Sequence, residues 1–292
     1  MIRAMRGSWT LGVAGLTLLV ACAPELSTTG GTGGSGGSGG AGGLGGASSS
    51  SASGTGGAGG GPVAVCPDVP DTPTMVLVEA PGEATYCIDS TEVTNAQYVA
   101  WLKQMPIVES LPQCAWNTTF QPQITPQEND LPVANVDWCD AYAFCAAHQK
   151  RLCGRIGGGQ LAYAEATDAM KSQWFNACTG GGTKIYPYGD TYDPTACNGQ
   201  DKDPIDGTVV PVASLATCEG GFPGIFDMSG NVWEWVDSCD EAVGGTPMEN
   251  PCRRQGGGYT SIADLDCPSI SSVYTRSQTT PNTGFRCCAD PL

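Results

Sequence analysis

The chain has 292 residues with a formal net charge of −16, 42 glycines, 15 cysteines and a single histidine, His148. That acid excess argues against nucleic acid or an anionic lipid surface as a partner and suits bound cations, although acidity also serves simply to keep a protein in solution. No Cys-x-x-Cys occurs, and one histidine cannot build a histidine cluster, so a zinc site is not expected.

The chain opens with Arg3 and Arg6 ahead of "LGVAGLTLLVA", Leu11 to Ala21. This is a signal-peptide core, too short for a bilayer span of roughly 20 apolar residues. It ends in "LVAC", which resembles a bacterial lipobox with Cys22 as the lipidated mature N-terminus; a plain secretory signal is the alternative. Both send the chain out of the cytoplasm, and the lipid-anchored reading places it in the bacterial cell envelope, at the outer membrane or the periplasmic face. Setting Cys22 aside leaves an even number of cysteines, as an oxidising compartment favours. Residues 1–21 are then the signal peptide, and residues 22–62 the lipidated cysteine with a Gly/Ser linker that cannot fold, a tether of about 30 to 35 Å reach. The linker's glycines lack the strand and Lys-Ser/Thr of a phosphate cradle. Residues 63–292 read as one domain, since no second linker divides them.

"TMVLVEA", Thr74 to Ala80, and "TYCIDS", Thr85 to Ser90, alternate as strands around a "PGE" turn. Thr94 and Gln97 then form a capping box for a helix whose apolar side carries Ala96, Tyr98, Val99 and Leu102. Asp137 is the N-cap of a second helix, and a third is predicted from near Leu161 to Cys178, stopped by "TGGG". His148 lies in "AAHQKRL" and reads as a surface residue. Cys139 and Cys145 face different ways on the second helix, at 3.6 residues per turn, and should not pair with each other. Cys287 and Cys288 point to opposite faces of a strand and need separate partners, the alternative being a vicinal disulfide.

In "DMSGNVWEWV", Asp227 to Val236, a strand places Trp233 and Trp235 on one side and Val232, Glu234 and Val236 on the other. Both tryptophans read as core. A carboxylate among apolar neighbours must be paired, hydrogen-bonded or bound to a cation.

Six ordered motifs, "IDSTEVTNAQYVAWL", "VANVDWCDAYAFC" with "KRL", "YPYGD", "PGIFDMSGNVWEWVDS", "GGGY" and "TGFRC", resemble the formylglycine-generating enzyme, or sulfatase-modifying factor, family over about Met75 to Asp290. The resemblance implies an irregular, loop-rich, disulfide-rich α+β fold related to C-type lectin-like domains. It implies calcium at Asp227, the carbonyls of Gly230 and Val232, and Glu234, with oxygen ligands that suit Ca²⁺. A further calcium loop maps onto Asn198, the Gly199 carbonyl, Asp206 and the Thr208 carbonyl, with Asp201 or Asp203 as substitutes. The alternative is that Asp227 caps a turn and Glu234 pairs with an arginine. The resemblance also implies a Cys145–Cys287 disulfide, and a re-routed partner for Cys178, for which Cys267 is a candidate.

Catalytic members hold copper(I) through two cysteines five residues apart, just after the motif read here as "GGGY". Those positions are Ser261 and Asp266, with Cys267 one residue late, so copper is not expected. The resemblance therefore implies a non-catalytic, lipid-anchored, calcium-stabilised module for a peptide, glycan or protein ligand. Its membrane contact is through the lipid alone. The expected ligand face is an exposed mix of Tyr259, Thr260, Ser261, Asp264, Tyr274, Arg276 and Thr279. The alternative is a copper-dependent oxidase that converts a sulfatase cysteine to formylglycine.

Overall fold

The computed structural model describes residues 64–292 except 105, 107–110, 123–126, 128, 203–206, 243–244, 263–264 and 272. The expected signal peptide, Cys22 and linker, and the candidate ligands Asp203, Asp206 and Asp264, therefore lie outside the described residues.

Strands β1 (Met75–Glu79) and β2 (Thr85–Asp89) form the expected antiparallel pair, joined through Pro81–Glu83. Helix α1 (Asn95–Lys103) starts at Thr94, whose hydroxyl accepts from Gln97 N while the Gln97 side chain accepts from Thr94 N. Its buried residues are Tyr98 and Trp101; Ala96 and Val99 are only half-buried, so the apolar stripe is rotated from the one expected. The reason is aromatic packing, with Trp101 and Phe144 rings 5.5 Å apart. Helix α2 (Trp138–Ala147) begins at Asp137 in a capping box with Asp140.

The third helix is much shorter than predicted. Helix α3 covers only Gln173–Thr179, capped by Ser172 and ended by Gly180 in the left-handed conformation. The preceding residues are drawn away by long-range bonds: Leu161 N donates to Asp237 O, Ile156 N to Lys171 O, and Asp168 turns the chain by accepting from Met170 N. Helical periodicity in "LAYAEATDAMK" loses to these tertiary bonds.

Strand β3 (Arg151–Leu152) and the late strands β4 (Trp233–Cys239), β5 (Cys252–Gln255), β6 (Ile270–Ser271), β7 (Thr283–Phe285) and β8 (Cys287–Ala289) complete two four-stranded sheets. Their orders are β1-β2-β8-β3 and β6-β5-β4-β7, with β4 and β7 parallel. Only Arg286 separates β7 from β8, so the chain crosses between sheets at that residue and buries it completely.

Seven disulfides join all fourteen cysteines from Cys66 to Cys288: 66–87, 114–139, 145–287, 153–288, 178–267, 197–218 and 239–252. Cys287 and Cys288 do take separate partners, tying β8 to α2 and to the segment after β3. Few regular elements and many loops under a dense sulfur network make this the mixed, irregular α+β architecture that the sequence implies.

Candidate functional site

Strand alternation on β4 turns Glu234 into the interior, where it is 1% exposed. Its charge is met by Arg286. Glu234 Oε1 lies 2.7 Å from Arg286 Nη2, and Oε2 accepts from Arg286 Nε at 2.7 Å and from Trp174 Nε1 at 2.8 Å. The guanidinium's other bonds go to the carbonyls of Asp89 and Phe226. Burial works against this cation, but Glu234, with Glu92 and Asp227 behind it, holds its pKa above the ordinary arginine value.

Four carboxylates are buried in this region, Asp89, Glu92, Asp227 and Glu234, against two buried cations, Lys150 and Arg286. Asp89 is paired with Lys150 at 2.6 Å and also accepts from Cys287 N. Once Glu234 is paired with Arg286, the charges of Glu92 and Asp227 remain. Asp227 accepts from Ala213 N at 2.6 Å, while Glu92 Oε1 has no partner. Burial raises Glu92 well above the usual carboxylate range, and repulsion from Asp227 and Glu234 adds to it. Burial pushes Asp227 up to about 6. Such a pair must either hold protons or meet positive charge, and the excess of two negative charges equals the charge of one divalent ion.

The two loops singled out for calcium are knit together. Asn231 N donates to Asn198 O at 2.8 Å, Asn198 Nδ2 donates to Asn231 Oδ1 at 3.0 Å and to Thr208 O at 2.9 Å, and Val210 N donates to Asn231 Oδ1. Gly230 is required here: its φ is +79°, and a Cβ would stand 2.4 Å from Asn198 O. Asp227 and Asn231 also have positive φ, which shapes a tight, preset loop. Gly199 packs against Leu265, and Val232 is buried at the start of β4.

The local donors are carboxylate and carbonyl oxygens, the chemistry of a hard cation. Among the described residues no three His, Cys, Asp or Glu side chains group as a metal cluster, so an ion would have to draw on carbonyls as well. Glu234 contributes little while Arg286 and Trp174 hold its oxygens. Glu92 is the residue that sequence reasoning missed; its only local cue is an acid inside the buried run Thr91 to Thr94.

The residues present do not fit a copper(I) thiolate pair. Ser261 Oγ accepts from Gly258 N, Asp266 is bound by the Ser269 hydroxyl, and Cys267 is cross-linked to Cys178. No thiol remains among the described residues.

The expected ligand face is only partly open. Arg276 is 0% exposed, which corrects its placement in an exposed set: it donates to Pro247 O, pairs with Glu241 and lies 5.1 Å from the Trp138 ring. Ser261 is also buried. Thr260 is exposed, and Tyr259, Tyr274 and Thr279 are half-buried. Trp233 and Trp235 are core, as expected. His148 sits at the C-cap of α2 with Nδ1 on Phe144 O and joins no catalytic constellation.

The family profile of the sulfatase-modifying factor enzyme 1-like domain matches residues 75–291. The chain is 28% identical over 201 residues to inactive C-alpha-formylglycine-generating enzyme 2 of Mus musculus, covering 63% of this chain and 59% of that one. It is 29% identical over 191 residues to formylglycine-generating enzyme of Bos taurus, covering 56% and 45%. The chain thus spans about half the length of these curated relatives. The solved structure of PvdO from Pseudomonas aeruginosa is 16% identical, with a TM-score of 0.49 over 76% of this chain and 95% of that one.

Proposed function

This chain belongs to the sulfatase-modifying factor enzyme 1-like family, and on that premise we propose that it is a non-catalytic member. On this reading it is exported, lipid-anchored at Cys22, braced by calcium, and serves to present the surface around Thr260 to a ligand. One observation carries the non-catalytic reading: Ser261 and Asp266 stand at the copper positions, and Cys267, one residue beyond the second, is spent in the bridge to Cys178. A mammalian relative described as inactive gives the reading a precedent.

Export is supported by the seven disulfides, which persist in oxidising compartments, and no helix among the described residues is long and apolar enough to cross a membrane. Calcium is supported by the charges of Glu92 and Asp227, which no ion pair balances among the described residues, and by the carbonyl oxygens of the loop beside them. The ion would be held by those two carboxylates with loop carbonyls such as Gly230 and Val232, and would supply structural positive charge. A second ion would draw on Asn198 and the carbonyls of Gly199 and Thr208. Aerobic incubation of copper-treated protein with a cysteine-containing sulfatase peptide tests the reading. No formylglycine is expected; its formation would establish the oxidase alternative instead.

A further inference from the structure

Among the described residues three arginines are buried, Arg254, Arg276 and Arg286, and carboxylates pair with two of them. Arg254, on β5, is 2% exposed and forms no ion pair among the described residues. Its Nη1 donates to the hydroxyls of Thr280 and Thr283, Nη2 donates to Ser271, and Nε has no partner. The Tyr274 ring lies 3.5 Å from the guanidinium, and the Trp233 and Trp235 rings lie 5.4 and 5.7 Å away. Aromatic faces and hydroxyl oxygens soften the burial of this charge but leave it without a counter-charge among the described residues.

The hydroxyls point the charge outward. Thr280, which accepts from Arg254, donates to Asn282 Oδ1 at 2.8 Å, and Asn282 Nδ2 donates to the hydroxyl of exposed Thr260 at 3.1 Å. A hydrogen-bond chain thus runs from a buried cation to the surface, and a cation at its inner end polarises the chain toward donating at its outer end. We propose that this surface, at Thr260, Thr280 and Asn282 over Arg254, binds an oxyanion, the carboxylate or sulfate group of a ligand. The proposal rests on the ligand-presenting reading above and names the charge that such a ligand carries.

The test is tryptophan fluorescence of the full-length protein, to which Trp233 and Trp235 beside Arg254 contribute, during titration with sodium acetate and sodium sulfate at an ionic strength held constant with chloride. Saturable binding of at least one anion is expected, and the two arms tell a carboxylate from a sulfate ligand. Arg254→Met should weaken it about tenfold or more, whereas Arg254→Lys, which keeps the charge, should retain most of it. Should Arg254→Met fail to fold, Thr260→Ala and Thr280→Ala, which leave the guanidinium in place, should each weaken binding. A purely structural Arg254 gives lower melting temperatures for its variants with no saturable response to either anion, and that result overturns the proposal. So does unchanged affinity in folded Arg254→Met, or in both threonine variants. Failure here leaves a non-catalytic module whose ligand carries no oxyanion to this surface, while formylglycine formation would remove the non-catalytic reading without altering the anion result.

Discussion

Glu234 and Arg286 meet in two parallel hydrogen bonds of 2.7 Å, although 52 residues separate them and both are buried. The parallel register of β4 on β7 sets Glu234 opposite Gly284, two residues before Arg286. The pair therefore fastens the crossing point of the two sheets.

Removing one partner leaves the other charge buried and alone. Glu234→Gln or Arg286→Met should cost about 3 to 5 kcal/mol of stability. The double variant Glu234→Gln/Arg286→Met should lose less than the sum of the single losses, read from denaturant midpoints. Strict additivity would mean that the pair is not coupled.

Calcium should raise the melting temperature, and a chelator should lower it. Free ion at a hundredfold excess over its Kd stabilises by about 2.7 kcal/mol. The increment should shrink in Glu92→Gln, because one of the two unpaired charges is gone. It should also grow as pH rises from 5 to 8, since protons compete for the same oxygens. Melting curves identical with and without chelator would contradict the calcium assignment.

Asp137 and Asp140 share the start of α2, and burial raises both carboxyls, with the Asp137 charge raising Asp140 further. The hydrogen bonds from Asn117 and the helix cap lower them only in part. The folded state thus binds these protons more tightly than the unfolded state, so their contribution to stability falls as pH rises from the ordinary carboxylate range through neutrality. Asp140→Asn should flatten that fall, being neutral or unfavourable at pH 4 and relatively favourable at pH 8. Urea melts of both proteins across this range check the sign.

Cross-links that close longer loops restrict the unfolded chain more. With Cys153–Cys288 still closing nearly the same loop, however, replacing Cys145 and Cys287 with alanine releases only a short further segment and should cost no more than the about 3 kcal/mol expected for Cys239 and Cys252, 13 residues apart. Paired denaturation curves give the comparison.

Local signals were legible in the sequence. Thr94 with Gln97 and Asp137 before α2 announce their helices because capping is settled within one turn, and the alternation around Cys287 and Cys288 requires two separate bridges. What escaped depends on distant chain. The run from Leu161 to Lys171 carries helical periodicity, but its ends are bonded to Asp237 and Ile156, and between them the local bonds close only three-residue turns. Arg276 looked like a surface group because its partners, Pro247 and Glu241, are far away in sequence. An arginine partner for Glu234 was one of two alternatives, and only the β4–β7 register identifies it as Arg286. The environment of Glu92 could not be read locally, since the groups that face its carboxylate, Asn231, Asp227, Glu234 and Arg286, all come more than a hundred residues later.

The central claim is that the sulfur beside the copper positions is locked in structure. Alkylating the denatured, unreduced full-length protein and mapping its peptides tests this most directly. The expected map has Cys267 cross-linked to Cys178 and no label on any cysteine from Cys66 to Cys288. A labelled Cys267 together with a second labelled cysteine that binds copper(I) alongside it would contradict the account.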